Sequence, residues 1–349
     1  MKKLMKITAL IAAVCMMGML FAGCDLTDES AVATVNGEKI AKSEFALYFN
    51  SIQGTMLSEA GVNTQDAAAI NAFWANTEID GKKAADVARE RALEEAVKIV
   101  VKTQKAKEMG VALTSSEKSE LNRQIGSMVT QLGGKANYEK YLKTLGMTDA
   151  SYKKYMEQNT LAYKLDQQLA ADPAYAPTDE ELTQAAKAAL RAKHILIATK
   201  DVNTGASYDE AQKADAKKRA EDILSRVKAG ENFDTLMAEL SEDPGSKSNP
   251  DGYEFTEGEM VTEFYEAAKA LPIGGVSGLV ESDFGYHIIK RLSIELTEEK
   301  IAQFKETQKS VQASKKIEAK VEEWRNDPAT VVEVDEKALA EMEIAVEAQ

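Results

Sequence analysis

The chain predicts an α+β fold with mostly helical flanks, and three observations carry that expectation. Helical periodicity runs from about Ser43 to Leu190 and again from about Thr297 to Trp324. Between these stretches, strand-like and helix-like segments alternate as β-α-α-β-α-β-β within about 100 residues. The composition agrees: 44% of the 349 residues are apolar but only 6% aromatic, and alanine, lysine and glutamate abound. Helical segments therefore bracket a small α+β unit. That predicts one discontinuous domain, built from the N- and C-terminal parts, with a second domain inserted into it.

The first element reads as an export signal. MKKLMK is a basic head, and the 17 residues from Ile7 to Gly23 are apolar and end in small side chains. Cys24 follows in FAGC, which resembles a bacterial lipobox, whose cysteine is acylated before cleavage in front of it. Phe21 stands three before the cysteine, where leucine is usual, with Leu20 beside it. The alternative is an ordinary cleaved signal with an incidental cysteine. Removing residues 1–23 also removes Cys15, so the mature chain keeps Cys24 alone and can form no intrachain disulfide.

DLTDESA, from Asp25, reads as a polar tether. AVATVNGEKI reads as a hairpin, because Asn36-Gly37 suits a type I′ turn. A helix starts near Ser43. Leu93, Val97 and Val100 share a helical face, supported by Glu94 four before Lys98, with Gly110 as a stop. Thr114-x-x-Glu117 has the capping-box form. The stripe Leu121, Ile125, Met128, Val129, Leu132 follows it and ends at Gly133-Gly134. Another helix from about Thr148 carries Tyr152, Tyr155, Leu161, Leu165 and Leu169, and DPAYAPTDEEL marks a boundary with a short helix. HILIAT is a strand. Asp209 to Lys228 is a helix, and Phe233 to Leu240 a shorter one. SEDPGSKSNPDG is a loop and GYEFT a strand. Met260, Phe264, Ala267 and Leu271 mark a third helix ended by Pro272, and VSGLVES with YHIIKRL forms a hairpin across SDFG. After the last long helix the chain ends in VVEV and an acidic tail. The expected domains are 1–23 (signal), 24–190, 191–294 and 295–349, the last packing on the first helical domain.

Charge narrows the function. The net charge is −14, and residues 1–23 carry three lysines and no acid, so the remainder carries −17. That argues against nucleic acid as a partner and against adsorption to anionic lipid by charge. There is no Gly-rich phosphate loop followed by lysine, no HExxH, no CxxC pair and no GxSxG elbow. The chain holds only two histidines, His194 and His287, each followed by an apolar pair in a strand-like segment. They lack a ligand set that would make a metal site, so neither metal nor cofactor is expected.

Four pieces fall in a telling order: RAKHILIAT, AGENFDTLMAELSEDPGS, FTEGEMVTEFYEAAKAL and VSGLVESDFGYHIIKRL. Together they resemble the parvulin family of peptidyl-prolyl cis/trans isomerases. The N-terminal VATVNGEKIAKSEF and the helices behind it resemble the chaperone part of secreted parvulin-type foldases. With the lipobox, the whole is similar to PrsA-type foldase lipoproteins. The resemblance implies a four-stranded antiparallel sheet with surrounding helices, whose first and last strands lie together at its centre. His194 and His287 would then be neighbours. It also implies catalytic roles for His194, His287, Asp243 and Ser282, and a proline pocket lined by Met260 and Phe264. Two departures stand out. NPDGYEF replaces a run that usually carries leucine, with Tyr253 as its substitute in the pocket wall, and Lys269 stands where an aromatic is frequent.

The implied function is a lipid-anchored foldase on the outer face of the membrane, isomerising X–Pro bonds in exported, incompletely folded chains without a cofactor. The alternative is a holdase whose parvulin unit is weak or silent. A solute-binding lipoprotein would need two α/β lobes that the helical half does not supply. No arginine cluster follows His194, so no preference for phosphorylated Ser/Thr-Pro is expected. The oligomeric state is open, with a homodimer among the alternatives.

Overall fold

The computed structural model describes residues 30–60, 62, 66–202, 208–246, 248–342 and 344. The expected signal, Cys24 and most of the polar tether lie outside the described residues. The chain forms two compact units, residues 1–171 with 317–349, and residues 172–316.

The first unit opens with strands β1 (Ala31–Val35) and β2 (Glu38–Ala41). They pair antiparallel across Asn36 and Gly37, whose φ angles of 51° and 79° are both positive, as a type I′ turn requires. The helices follow: α1 (Lys42–Glu59), α2 (Ala67–Asn76), α3 (Ala84–Glu108), α4 (Ser115–Gln131), α5 (Lys135–Thr144) and α6 (Asp149–Ala171). A short hairpin, β3 (Glu78–Ile79) and β4 (Lys82–Lys83), interrupts this stretch, which the sequence pattern reads as helical throughout. Its turn is Asp80-Gly81, again with both φ angles positive. The Thr114 capping box forms as expected. Phe45, Phe49, Val97, Val100 and Ala96 build the main core, and Leu121, Tyr138, Leu142 and Tyr152 a second cluster.

The second unit begins with a 3-10 turn (Pro173–Tyr175) and α7 (Asp179–Lys187), the latter opened by a second capping box on Thr178 and Glu181. Strand β5 (Leu190–Ala198) leads to α8 (Glu210–Lys228) and α9 (Phe233–Leu240). Then come β6 (Tyr253–Phe255), α10 (Thr262–Ala270), β7 (Val280–Ser282) and β8 (Gly285–Leu292). The four strands form one antiparallel sheet in the order β6-β5-β8-β7. Both faces of its centre carry apolar residues, and the face toward α10 also carries His194 and His287. Ile195, Ile197, Tyr286 and Ile288 pack with α8 and α9, whereas Leu190, Ala192 and Ile289 pack with Phe255 and α10. This is the α+β architecture that the element order predicts, with β5 starting four residues before HILIAT. His194 is therefore mid-strand rather than at a strand head.

The compact units divide at 171/172 and 316/317, so the second takes in helical residues outside the 190/191 and 294/295 limits read in the sequence. Helix α7 belongs to the second unit because its Ala186 is buried in one apolar cluster with Ala189 and Phe304. The long helix α11 (Glu298–Arg325) was expected to pack on the first domain. Its first part instead serves the second unit. Gln308 donates to Thr256 Oγ1 at 2.9 Å and to the Glu257 carbonyl at 2.8 Å, and Lys300 pairs with Glu254 at 2.6 Å. Only its end joins the first unit, where Lys98 pairs with Glu322 at 2.9 Å and Arg325 with Glu94 at 3.1 Å. A single helix has no composition break at which to read such a change of partner. The chain then returns as β9 (Val332–Val334) and α12 (Glu336–Ala340). Strand β9 pairs antiparallel with β1, giving the sheet β2-β1-β9.

Candidate active site

The site starts from strand register. In the β5–β8 ladder, Leu196 lies opposite His287 and His194 opposite Ile289. Side chains alternate along a strand, so His194 and His287 share one face as diagonal neighbours. Their rings stack, with centroids 5.2 Å apart and planes at 19°, and their Nδ1 atoms are 3.0 Å apart. Both residues are buried.

Asp243 comes from the loop after α9, placed by a Pro-Gly turn. Asp243-Pro244-Gly245-Ser246 closes with the Ser246 amide donating to the Asp243 carbonyl at 3.2 Å. Proline at the second position presets the turn, and the Gly245 amide donates back to Asp243 Oδ1 at 3.1 Å. The loop is tied to β5: the Glu242 amide donates to the Leu196 carbonyl, and Ser241 Oγ accepts from the Leu196 amide. Asp243 Oδ2 then receives three donors: His194 Nε2 at 3.0 Å, Ser246 Oγ at 2.8 Å and Tyr253 Oη at 2.7 Å.

At the other end, Ser282 Oγ lies 2.7 Å from His287 Nε2 and accepts from the Phe284 amide at 3.1 Å. The hydrogen positions follow from chemistry. An ionised carboxylate only accepts, so His194 Nε2 carries a hydrogen. With both imidazoles neutral, His287 Nδ1 donates to His194 Nδ1, and Ser282 donates to His287 Nε2. Every donor in the row then points toward Asp243.

Electrostatics hold Asp243 ionised and His287 neutral. Burial pushes the Asp243 proton affinity up. The hydrogen bonds from His194, Tyr253 and Ser246 outweigh it and hold the carboxyl well below the usual carboxylate range. Burial pushes the His287 pKa down to about 3, with His194 adding to it and Asp243 opposing, so His287 is neutral at physiological pH.

Phe264 seals the imidazoles from α10. Its ring meets His194 edge-on at 5.1 Å and His287 at 5.6 Å. It is only 3% exposed, so it offers little free surface. Met260 was expected to share its helical face. Instead Met260 lies in the bend before α10, which begins at Thr262. The Thr256 amide and hydroxyl both bond to Glu259, which stabilises a tight turn there rather than a helical start. Met260 still packs half-buried against the same cluster as Phe264. Tyr253 borders the site through an edge contact with His194 at 5.8 Å, but its hydroxyl turns into the polar network. Lys269 lies over the Tyr265 ring at 5.4 Å. Sequence reasoning missed Ser246 and the Gly245 amide; the Asp-Pro-Gly-Ser turn signature could have revealed both. Among the described residues no group of three or more His, Cys, Asp or Glu side chains could hold a metal ion.

The sheet order, the central histidine pair and the loop carboxylate define a class: residues 194–293 match the family model for the PPIC-type PPIASE domain, and this unit is a peptidyl-prolyl cis/trans isomerase of parvulin type. Residues 1–166 match the SurA-like N-terminal domain. The chain is 31% identical over 297 residues to foldase protein PrsA of Caldanaerobacter subterraneus, covering 81% of each. It is 27% identical over 347 residues to foldase protein PrsA of Clostridium botulinum, covering 91% of this chain and 94% of that one. A solved foldase protein PrsA from Streptococcus pneumoniae aligns at 20% identity over 73% of this chain and 89% of that chain, with a TM-score of 0.38. The chain belongs to the PrsA foldase family.

Proposed function

We propose that this isomerase acts outside the cytoplasm, held to the membrane by lipid on Cys24, on X–Pro bonds of exported chains that have not yet folded. The reading of its location rests on the sequence: the basic head, the apolar run and FAGC before Cys24. No helix among the described residues is long and apolar enough to cross a membrane. Two measurements test the anchor. The mass of the mature N-terminus should carry an acylated Cys24, and Cys24→Ala should move the protein from the membrane to the soluble fraction. An unmodified cysteine would refute it.

The chemistry needs no bond cleavage. Amide resonance gives the C–N bond partial double-bond character and places negative charge on the carbonyl oxygen. The twisted transition state has less of both. An apolar surface that holds the prolyl ring, beside a fixed negative charge that disfavours the charge-separated planar amide, binds the transition state better than the ground state. In this reading Met260 supplies the accessible apolar surface, Phe264 backs it, and Tyr253 forms the adjacent wall. Asp243 supplies the charge. His194, His287 and Ser282 hold Asp243 in place, and none of them acts as a general base.

The single observation that carries the site is the unbroken row Ser282–His287–His194–Asp243 on one face of the sheet. Tetrapeptide isomerisation tests it: the wild type should accelerate cis/trans exchange, and Asp243→Ala should lose most of that acceleration. If the wild type gives no acceleration but suppresses client aggregation, the holdase reading replaces this one.

A further inference from the structure

We propose that Tyr253 is a positioning residue of the isomerase: its hydroxyl, reaching across Gly245, fixes the Asp243 carboxylate against His194. The inference rests on Asp243 as the carboxylate of the site and gives Tyr253 a role beyond the pocket wall.

Three independent features meet here. The first is the hydrogen bond. At 2.7 Å, Tyr253 Oη lies closer to Asp243 Oδ2 than His194 Nε2 does, at 3.0 Å. With Ser246 also donating, Oδ2 carries three donors, while among the described residues Oδ1 accepts from the Gly245 amide alone. Such loading of one oxygen fixes the carboxylate's rotation and leaves its free acceptor capacity on Oδ1.

The second is the glycine. A Cβ on Gly245 would lie 2.2 Å from Tyr253 Oη and 3.3 Å from its Cζ. The backbone of Gly245 is not in the left-handed region, so room for the phenol, rather than a dihedral angle, accounts for glycine there. The third is register. Tyr253 pairs with Ala192 in the β5–β6 ladder, which sets its ring beside His194 two residues on. The sheet thus delivers the phenol, and the loop leaves a gap for it.

The electrostatics are consistent. Burial, then the bond to Asp243 and its charge, push the Tyr253 hydroxyl pKa up, so it keeps its hydrogen and stays a donor across the physiological range. An apolar side chain at this position could not donate.

The test compares Tyr253→Phe, Asp243→Asn and the double variant in the full-length protein. Tetrapeptide isomerisation, melting temperature and the carboxyl-carbon NMR titration of Asp243 are the readouts. Tyr253→Phe should lower kcat about tenfold, the rate equivalent of one hydrogen bond to a charged group, with KM changed less than about twofold. Asp243 should begin to protonate at higher pH than in the wild type. In the Asp243→Asn background, Tyr253→Phe should add little. Gly245→Ala should impair the tyrosine protein more than the Tyr253→Phe protein, because phenylalanine leaves no hydroxyl to displace. Wild-type kcat and an unmoved Asp243 titration in a folded Tyr253→Phe protein would overturn the inference while Asp243→Asn remains impaired. Full activity in Asp243→Asn would overturn the underlying reading of the site as well.

Discussion

His287 couples the site to the stability of the fold. Its folded pKa is about 3, against about 6.5 in an unfolded chain. Between those values the unfolded state binds a proton that the native state refuses, so stability rises with pH through this window and levels off above it. At pH 4.5 the loss relative to pH 7 amounts to roughly 2 to 3 kcal/mol from this residue. Denaturant melts should therefore show the gap between wild type and His287→Gln narrowing as pH falls from 7 to 4.5; parallel curves would contradict it. Asp243 adds a loss of the same sign, but only at more acidic pH, since its carboxyl is held ionised well below the usual range. Ser282→Ala removes the hydroxyl bonded to His287 Nε2 and should lower the isomerase rate in a protein that still folds. Equal activity of Ser282→Ala and wild type would remove Ser282 from the site.

At the scale of elements, glycines and caps decide where strands and helices can meet. Gly285 opens β8 at φ 136°, where a Cβ would lie 2.2 Å from the Ile197 carbonyl. Gly285→Ala must push the β5–β8 hydrogen-bonded pair apart, two residues before His287. A loss of about 2 to 4 kcal/mol is expected, with activity falling in step, measured by thermal melts and the isomerase assay. Thr114→Ala removes a two-way cap from α4 and should cost about 1 kcal/mol, with activity intact, because that helix belongs to the other unit. The elements were well marked in the sequence because their signals are local: Asn36-Gly37 for the first hairpin, the capping boxes, and the stripes of period 3.6. The Asp80-Gly81 hairpin carries a similar turn but has only two residues in each strand, too few to show alternation. Met260 shows the opposite failure. Its spacing from Phe264 fits a helix, yet the Thr256–Glu259 bonds hold its segment in a turn.

For the whole molecule, the two units have separate cores, and each should survive without the other. Residues 172–316 expressed alone should melt cooperatively and isomerise a tetrapeptide at close to the full-length rate; a molten or inactive product would contradict that expectation. Truncation after Arg325 removes β9 and α12, and with them Ala338, Leu339 and Met342 from the main core of the first unit. Its melting temperature should fall while tetrapeptide activity persists.

The sequence by itself determined most of the element order, because turns, caps and hydrophobic periods are written in neighbouring residues, while the candidate site residues were implied only by the resemblance of four segments to the parvulin family. Only the tertiary structure decided which distant pieces meet. It set the two-residue offset that stacks His194 on His287, the reach of Tyr253 across Gly245 to Asp243, the return of Val332–Val334 to the edge of β1, and the change of partner along α11. Each of these depends on register or on packing between segments far apart in the chain, and no local pattern encodes such long-range pairing.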